Sequence, residues 1–306
     1  MSETVHIFPG ITRVSDPFKG VLLDAYGVFW GGNDFGLLPG SKEAMEKLVS
    51  KGKIVGILSN ATQLSSKEIN KLEAHGLIQG KHFHFLITSG ETARFIFLQE
   101  KPPFKTFTNK FWLFSGGHPK FSSHEAIFQG SRYSETFDID EADFIYISVP
   151  HINGEDQTDP ERFRQEIEKI KMKGLPMVCA NPDRFAHEGN PPRAVVRQGS
   201  IAKMYEEIGG EVFYIGKPYN KVYSIAMNHF LQYKITNPEE ILMVGDTPET
   251  DIRGARFFGM PSALVTQTGI MADRISRNGE RAFDLPPDDL PNYFIGGLVD
   301  DVRTSS

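Results

Sequence analysis

An α/β fold, a doubly wound parallel sheet interrupted by a second and smaller α/β domain, follows from three observations. Short apolar runs alternate with amphipathic helix-like stretches, the pattern of a sheet with helices on both faces. Several of those runs stop abruptly on a polar residue, where open α/β sheets place their ligands. A break rich in proline and lysine, KPPFKTFTNK at residues 101–110, separates off a middle stretch with strands and a helix of its own.

Taken in order, Val21, Leu22 and Leu23 form a strand that delivers Asp24 into a Tyr26-Gly27 turn. Residues 41–51 (SKEAMEKLVSK) read as a helix with Ser41 as N-cap, Glu43 in the first turn and Gly52 closing it. A strand over 54–58 ends at Ser59-Asn60. An amphipathic helix follows over 65–75, ended by Gly76, then a strand over 83–88 and a helix over 91–99. These make residues 1–100 the first segment of a core domain. The inserted domain spans residues 101–210, with strands at 111–114, 144–149 and 177–180 and a helix over 160–173. The core resumes over residues 211–306: a strand at 211–215 leading into Gly216-Lys217-Pro218, a helix over 219–233, a strand at 241–244 ending at Gly245-Asp246, a helix over 251–258 and a strand at 262–266. The tail, DLPPDDLPNYF and then Gly-Gly-Leu-Val, is less regular.

Composition excludes several classes. At 306 residues the chain exceeds the usual single domain, and 40% hydrophobic with 24% charged residues is ordinary for a globular protein. A net charge of -6 offers no global basic field for nucleic acid or anionic lipid, so a phosphate-bearing ligand needs local cations. Cys179 is the only cysteine, which rules out an intramolecular disulfide and suits the cytosol. The first residues lack a basic segment followed by an apolar core, and no apolar run reaches about 18 residues, so a soluble, cytoplasmic protein is expected. Asn60-Ala61-Thr62 matches a glycosylation acceptor on paper only. Walker, GxGxxG and GxSxG motifs are absent, and the nine histidines make no HExxH helix.

Four strand ends carry polar groups: Asp24, Ser59-Asn60, Gly216-Lys217, and Gly245-Asp246 with Asp251. A carboxylate after a buried strand is costly without compensation. Asp24 and Asp246 at one sheet edge repel each other unless a cation lies between them. All-oxygen ligands suit a hard divalent ion such as Mg2+. Lys217 supplies a fixed charge for phosphate oxygens, and the Ser59 hydroxyl with nearby backbone N–H groups completes a cradle.

These residues, in this order, resemble the four short motifs of the haloacid dehalogenase superfamily, over nearly the whole chain. The resemblance implies a Rossmann-like core with an inserted cap, Asp24 as the nucleophile that forms an aspartyl-phosphate, Ser59 in LSN as the second-motif hydroxyl, and Lys217 as the third-motif lysine. GDTPETD, residues 245–251, is similar to the fourth motif, with Asp246 as a metal ligand and Asp251 supporting the metal shell and Lys217. LLPGSKEAMEKL, VCANPDR, GKP and PNYFIGGLVDDV look like the p-nitrophenylphosphatase and pyridoxal-phosphate phosphatase group, where the cap closes over the site and selects substrate. The match places Asn181, Pro182, Asp183 and Arg184, with Asn60, on the substrate side. It implies a small phosphorylated metabolite as substrate, a sugar phosphate or similar, and Mg2+ as cofactor, and it allows a homodimer through the cap; the charge and the lack of a long apolar run lead to the expectation of no nucleic-acid or membrane partner.

One residue departs from the family pattern. Where those phosphatases carry a second Asp, the general acid and base, this chain has Tyr26. The metal ligand there is the backbone carbonyl, which tyrosine still provides, so the resemblance implies retained metal binding at Asp24, Tyr26, Asp246 and Asp251. Proton transfer is expected to suffer, an effect of roughly 100- to 10,000-fold. Two alternatives stand beside a phosphatase: a phosphometabolite-binding protein weakened in turnover, and a dehalogenase or phosphonatase-type hydrolase; DAYG also resembles the first motif of the metal-independent haloacid dehalogenases, which lack the fourth motif present here.

Overall fold

A computed structural model describes residues 5–99, 102–188 and 193–299. The chain divides into two units, the first of residues 1–59, 66–87 and 217–306, the second of residues 60–65 and 88–216.

The first unit holds a seven-stranded sheet in the order Ile7–Gly10, Tyr293–Gly297, Ser262–Val265, Ile241–Gly245, Gly20–Leu23, Ile54–Ser59, Phe85–Thr88. Its central pairs are parallel, with Leu23 opposite both Val244 and Ile57. That register sets Asp24, Ser59 and Asp246 along one edge. The two central strands are buried throughout, as expected of a parallel sheet covered on both faces. Because side chains alternate, Val21 and Leu23 join Met45 and Leu48 of helix Ser41–Ser50 on one face. Leu22 and Met243 meet Tyr223, Ala226 and Phe230 of helix Asn220–Gln232 on the other. Residues 251–258 are not one continuous helix: a five-residue π-type turn, Pro248–Ile252, precedes helix Arg253–Phe258. Ser41 is not an N-cap either. Gly40, with φ of 73°, holds that position, and Ser41 is the buried first residue of the helix. The edge strand Ile7–Gly10 pairs with Tyr293–Gly297, which lies between it and Ser262–Val265, and both lay in stretches without clear periodicity.

The second unit has its own sheet, in the order Val212–Tyr214, Met177–Cys179, Phe144–Ile147, Lys110–Phe114, Ser134–Thr136, with parallel pairing throughout. Two small antiparallel hairpins, His151–Ile152 with Glu155–Asp156 and Phe185–Glu188 with Arg193–Val196, accompany it. Two elements fall in a different unit from the one expected. Strand Val212–Tyr214 pairs with Met177–Cys179, and helix Ser89–Gln99 gives Ala93, Ile96 and Phe97 to a cluster with Phe111, Phe128 and Phe144. Both therefore belong to the second unit, which runs from Thr88 to Gly216 rather than from 101 to 210. The KPP break follows a helix of that unit, and Lys101 lies outside the described residues. The expected helix over 160–173 is a 3-10 turn, Pro160–Phe163, followed by helix Arg164–Lys171. Among the described residues no helix is long and apolar enough to cross a membrane.

Candidate active site

Asp24 follows the last residue of a central strand, and its N–H still donates to the Val244 carbonyl at 2.8 Å, so the sheet ladder fixes its backbone. The residue is 8% exposed. Lys217, 1% exposed, places its ammonium 2.5 Å from Asp24 Oδ1 and 2.7 Å from Asp251 Oδ1. Asp24, Asp246 and Asp251 each offer a carboxylate oxygen within 4.8 Å of the others, all buried. Three buried carboxylates face one ammonium, leaving excess negative charge in a poorly solvated place. Oxygen donors carrying that excess fit a hard divalent cation such as Mg2+.

The loop that carries Asp251 explains its orientation. The wide Pro248–Ile252 turn brings the Asp251 carboxylate back over the strand end, where Oδ2 accepts the Asp246 and Thr247 N–H groups, both at 3.0 Å. Gly245 makes room: a Cβ there would lie 2.2 Å from Asp251 Oδ2. With Oδ1 on Lys217 and Oδ2 on two amides, Asp251 holds the lysine and the loop.

Asp246 is held by groups the sequence did not single out. Its Oδ2 accepts the Ile270 N–H at 2.7 Å, in the first turn of helix Gly269–Asn278, whose positive end favours a carboxylate. Oδ1 accepts the Thr247 hydroxyl at 2.9 Å. Two glycines with positive φ, Gly27 and Gly269, press on this carboxylate, and a Cβ on either would lie 2.1 or 1.8 Å from Oδ2. Thr268 Oγ1 donates to the Gly27 carbonyl at 2.5 Å and ties the two loops together. The only sequence signal for this support is a Thr-Gly pair just before a helix. Ser59, 5% exposed, ends strand Ile54–Ser59 at the same sheet edge.

Tyr26 is half-buried, and its ring packs against the apolar cluster around Trp30. The Lys71 ammonium lies 5.5 Å from the centre of the Tyr26 ring and 5.1 Å from that of Trp30, and it pairs with Glu68. Such cation–π contacts favour a fixed ring position.

The remaining predicted residues lie in the second unit. Asn60 Nδ2 donates to Asp183 Oδ1 at 2.8 Å, and Asn60 Oδ1 accepts the Ser89 hydroxyl at 3.1 Å. Asn181 Oδ1 accepts the Asp183 N–H at 3.0 Å. Asn60, Asn181 and Asp183 are thus brought together by hydrogen bonds. The Arg184 carbonyl accepts the Ser200 hydroxyl at 2.6 Å, while its side chain is exposed.

Two family models match this chain: haloacid dehalogenase-like hydrolase over residues 21–119, and HAD-hydrolase-like over residues 214–292. The chain belongs to the haloacid dehalogenase-like hydrolases. It is 28% identical over 245 residues to a cardiolipin synthase (CMP-forming)/mitochondrial hydrolase fusion protein of Schizosaccharomyces pombe, covering 70% of this chain and 40% of that relative's length. Human chronophin is 22% identical over 92% of this chain and 91% of its own. Among solved structures, a haloacid dehalogenase-like hydrolase from Brucella suis superposes with a TM-score of 0.76 at 21% identity, covering 95% of this chain and 99% of that one. A possible sugar phosphatase from Cytophaga hutchinsonii gives 0.71 at 21% identity (97% and 99%), and a 4-nitrophenylphosphatase from Thermotoga maritima 0.62 at 23% (93% and 96%). These likenesses show the fold.

Proposed function

We propose that this chain is a phosphatase of a small phosphorylated metabolite, a sugar phosphate or a similar monoester, working through an aspartyl-phosphate on Asp24. The observation that carries the reading is the Lys217 ammonium, shared between Asp24 and Asp251 at 2.5 and 2.7 Å inside a buried carboxylate cluster. An ammonium in contact keeps Asp24 ionised, the form that attacks. One Asp24 oxygen bonds to phosphorus as the bond to the leaving oxygen breaks; Lys217 and the Ser59 hydroxyl hold the phosphoryl oxygens. Water then attacks phosphorus, releasing inorganic phosphate and restoring the carboxylate. Asp24, Asp246 and the Tyr26 backbone carbonyl would hold Mg2+, with Asp251 bracing the loop. When bound, the ion supplies positive charge against the phosphoryl oxygens. Asn60, Asn181, Asp183 and Arg184 are read as substrate-side groups, and Arg184 has the exposed cationic side chain among them. The phosphatase descriptions of proteins sharing this fold support the assignment.

The test is p-nitrophenyl phosphate hydrolysis with Mg2+. Asp24→Ala abolishes turnover on this reading, and undiminished activity in that variant refutes it. A second reading, a binding protein with little turnover, draws on the packing of Tyr26 in place of an acid. Calorimetry separates the two: tight metabolite binding without hydrolysis, and no gain from Tyr26→Asp, would favour the binder.

A further inference from the structure

The second unit's sheet is doubly wound in its own right. The chain lays down strand Lys110–Phe114, then Ser134–Thr136 on one side of it, and crosses to Phe144–Ile147 on the other. Chain order reverses between Lys110–Phe114 and Phe144–Ile147. In sheets of this kind ligands bind beyond the carboxyl ends of the strands at that reversal. The segments that follow these two strands are Ser115-Gly116-Gly117-His118 and Ser148-Val149-Pro150-His151.

Both histidines present one committed nitrogen and one unused one. His118 Nδ1 accepts the N–H groups of Lys120 and Phe121 at 3.0 and 3.2 Å, and His151 Nδ1 accepts the Gly154 N–H at 3.0 Å. An imidazole nitrogen that accepts an N–H carries no proton, so the proton of each neutral ring sits on Nε2. Among the described residues neither buried Nε2 atom has a hydrogen-bond partner, and nor does the buried Ser115 hydroxyl. His118 is 3% exposed, and burial lowers its pKa, which keeps the ring neutral and Nε2 a donor. The rings stand edge to face, 5.1 Å between centres. That geometry can turn one edge toward the other ring but cannot serve both N–H groups. Asp156, cross-strand from His151, lies 3.9 Å from His118 Nε2, beyond hydrogen-bond reach, and is paired with the buried Arg197 at 3.0 Å. Buried donors left unmet by the protein are rare and call for a partner.

We propose that these two loops at the carboxyl end of the second unit's sheet bind an uncharged, hydroxylated group, such as the face of a sugar. A hydroxyl can accept from an imidazole Nε2–H and donate to the Asp156 carboxylate, closing the 3.9 Å gap on both sides. A carboxylate or dianionic phosphate would accept from the same N–H groups but has no proton of its own to donate to Asp156 Oδ1. Both loops belong to the second unit, and their ligand does not depend on the chemistry assigned to Asp24.

The test titrates unphosphorylated D-glucose and D-ribose, and separately inorganic phosphate, into the full chain while following the imidazole Nε2–H signals by NMR. Saturable shifts of the His118 and His151 signals with a sugar, and none with phosphate, are expected. His118→Asn and His151→Asn keep an oxygen where Nδ1 accepts the backbone N–H but remove Nε2. Each should abolish the sugar response while leaving loop amide signals near their wild-type positions. No saturable shift with either sugar, contacts only to exchanging water, or a response that survives both variants overturns the proposal. Phosphate shifting the same signals would overturn the assignment of an uncharged ligand.

Discussion

At the scale of single residues, the candidate site was legible wherever a polar residue ended an apolar run. Asp24, Ser59, Lys217 and Asp246 could each be found that way and Asp251 through its place in GDTPETD, and Lys217, Asp246 and Asp251 do converge on Asp24. The residues that fix Asp246 could not, because Gly27, Gly269 and the Ile270 N–H act through backbone shape and carry no side-chain signature. Gly269→Ala therefore makes a sharp test. Its φ of 67° disfavours alanine by about 1 kcal/mol or more, and the new Cβ would stand 1.8 Å from Asp246 Oδ2. The carboxylate must move, so Mg2+ affinity measured by calorimetry should fall, and unchanged affinity would argue against Asp246 as a ligand. Tyr26→Asp tests the other departure. Restoring an acid should raise kcat/KM for an alkyl phosphate relative to p-nitrophenyl phosphate, by up to about 100-fold or more. The ratio is the readout, because removing the ring also strips Lys71 of a packing partner. A ratio that stays constant would mean that Tyr26 does not limit leaving-group protonation.

At the scale of elements, the hydrophobic pattern located strands and helices well and their partners poorly. Residues 83–88 read as one strand, yet only Phe85–Thr88 is extended, and the preceding His84 acts as a clasp. Its N–H donates to the Val55 carbonyl at 2.7 Å, and its Nδ1 accepts the Val55 N–H at 3.0 Å, bracketing one residue of the neighbouring strand. Protonating Nδ1 would break the second bond. Burial lowers the His84 pKa from 6.5, and burial lowers those of His82 and His229 as well. The sign follows from linkage: a depressed folded pKa gives stability that is present above the unfolded value and lost as pH falls through the folded one. The melting temperature should decline as pH drops below 6.5. In His84→Asn, whose side-chain oxygen can still accept the Val55 N–H, that decline should be shallower. An equally steep decline in the variant would clear His84 of the effect.

At the scale of the whole molecule, a two-domain reading came from length and from the break at residues 101–110, while the borders came out wrong by an element on each side. Both units are parallel α/β sheets, so alternation of apolar runs with helices continues unchanged through the transitions at Thr88 and Gly216. Only side-chain partners show which sheet owns a strand: Val212–Tyr214 follows Met177–Cys179, and helix Ser89–Gln99 follows Phe111 and Phe144. Each unit has apolar clusters of its own, and the chain's two tryptophans divide between them, Trp30 in the first and Trp112 in the second. Fluorescence of single-tryptophan variants thus reports each unit separately. Phe144 is fully buried among Phe97, Phe111, Phe128 and Tyr133. Phe144→Ala should cost the second unit about 3–5 kcal/mol. In urea, the Trp112 transition should move to lower concentration by more than the Trp30 transition does. Equal shifts would mean that the chain unfolds as one cooperative body, and that the border drawn by strand pairing is not a border in stability.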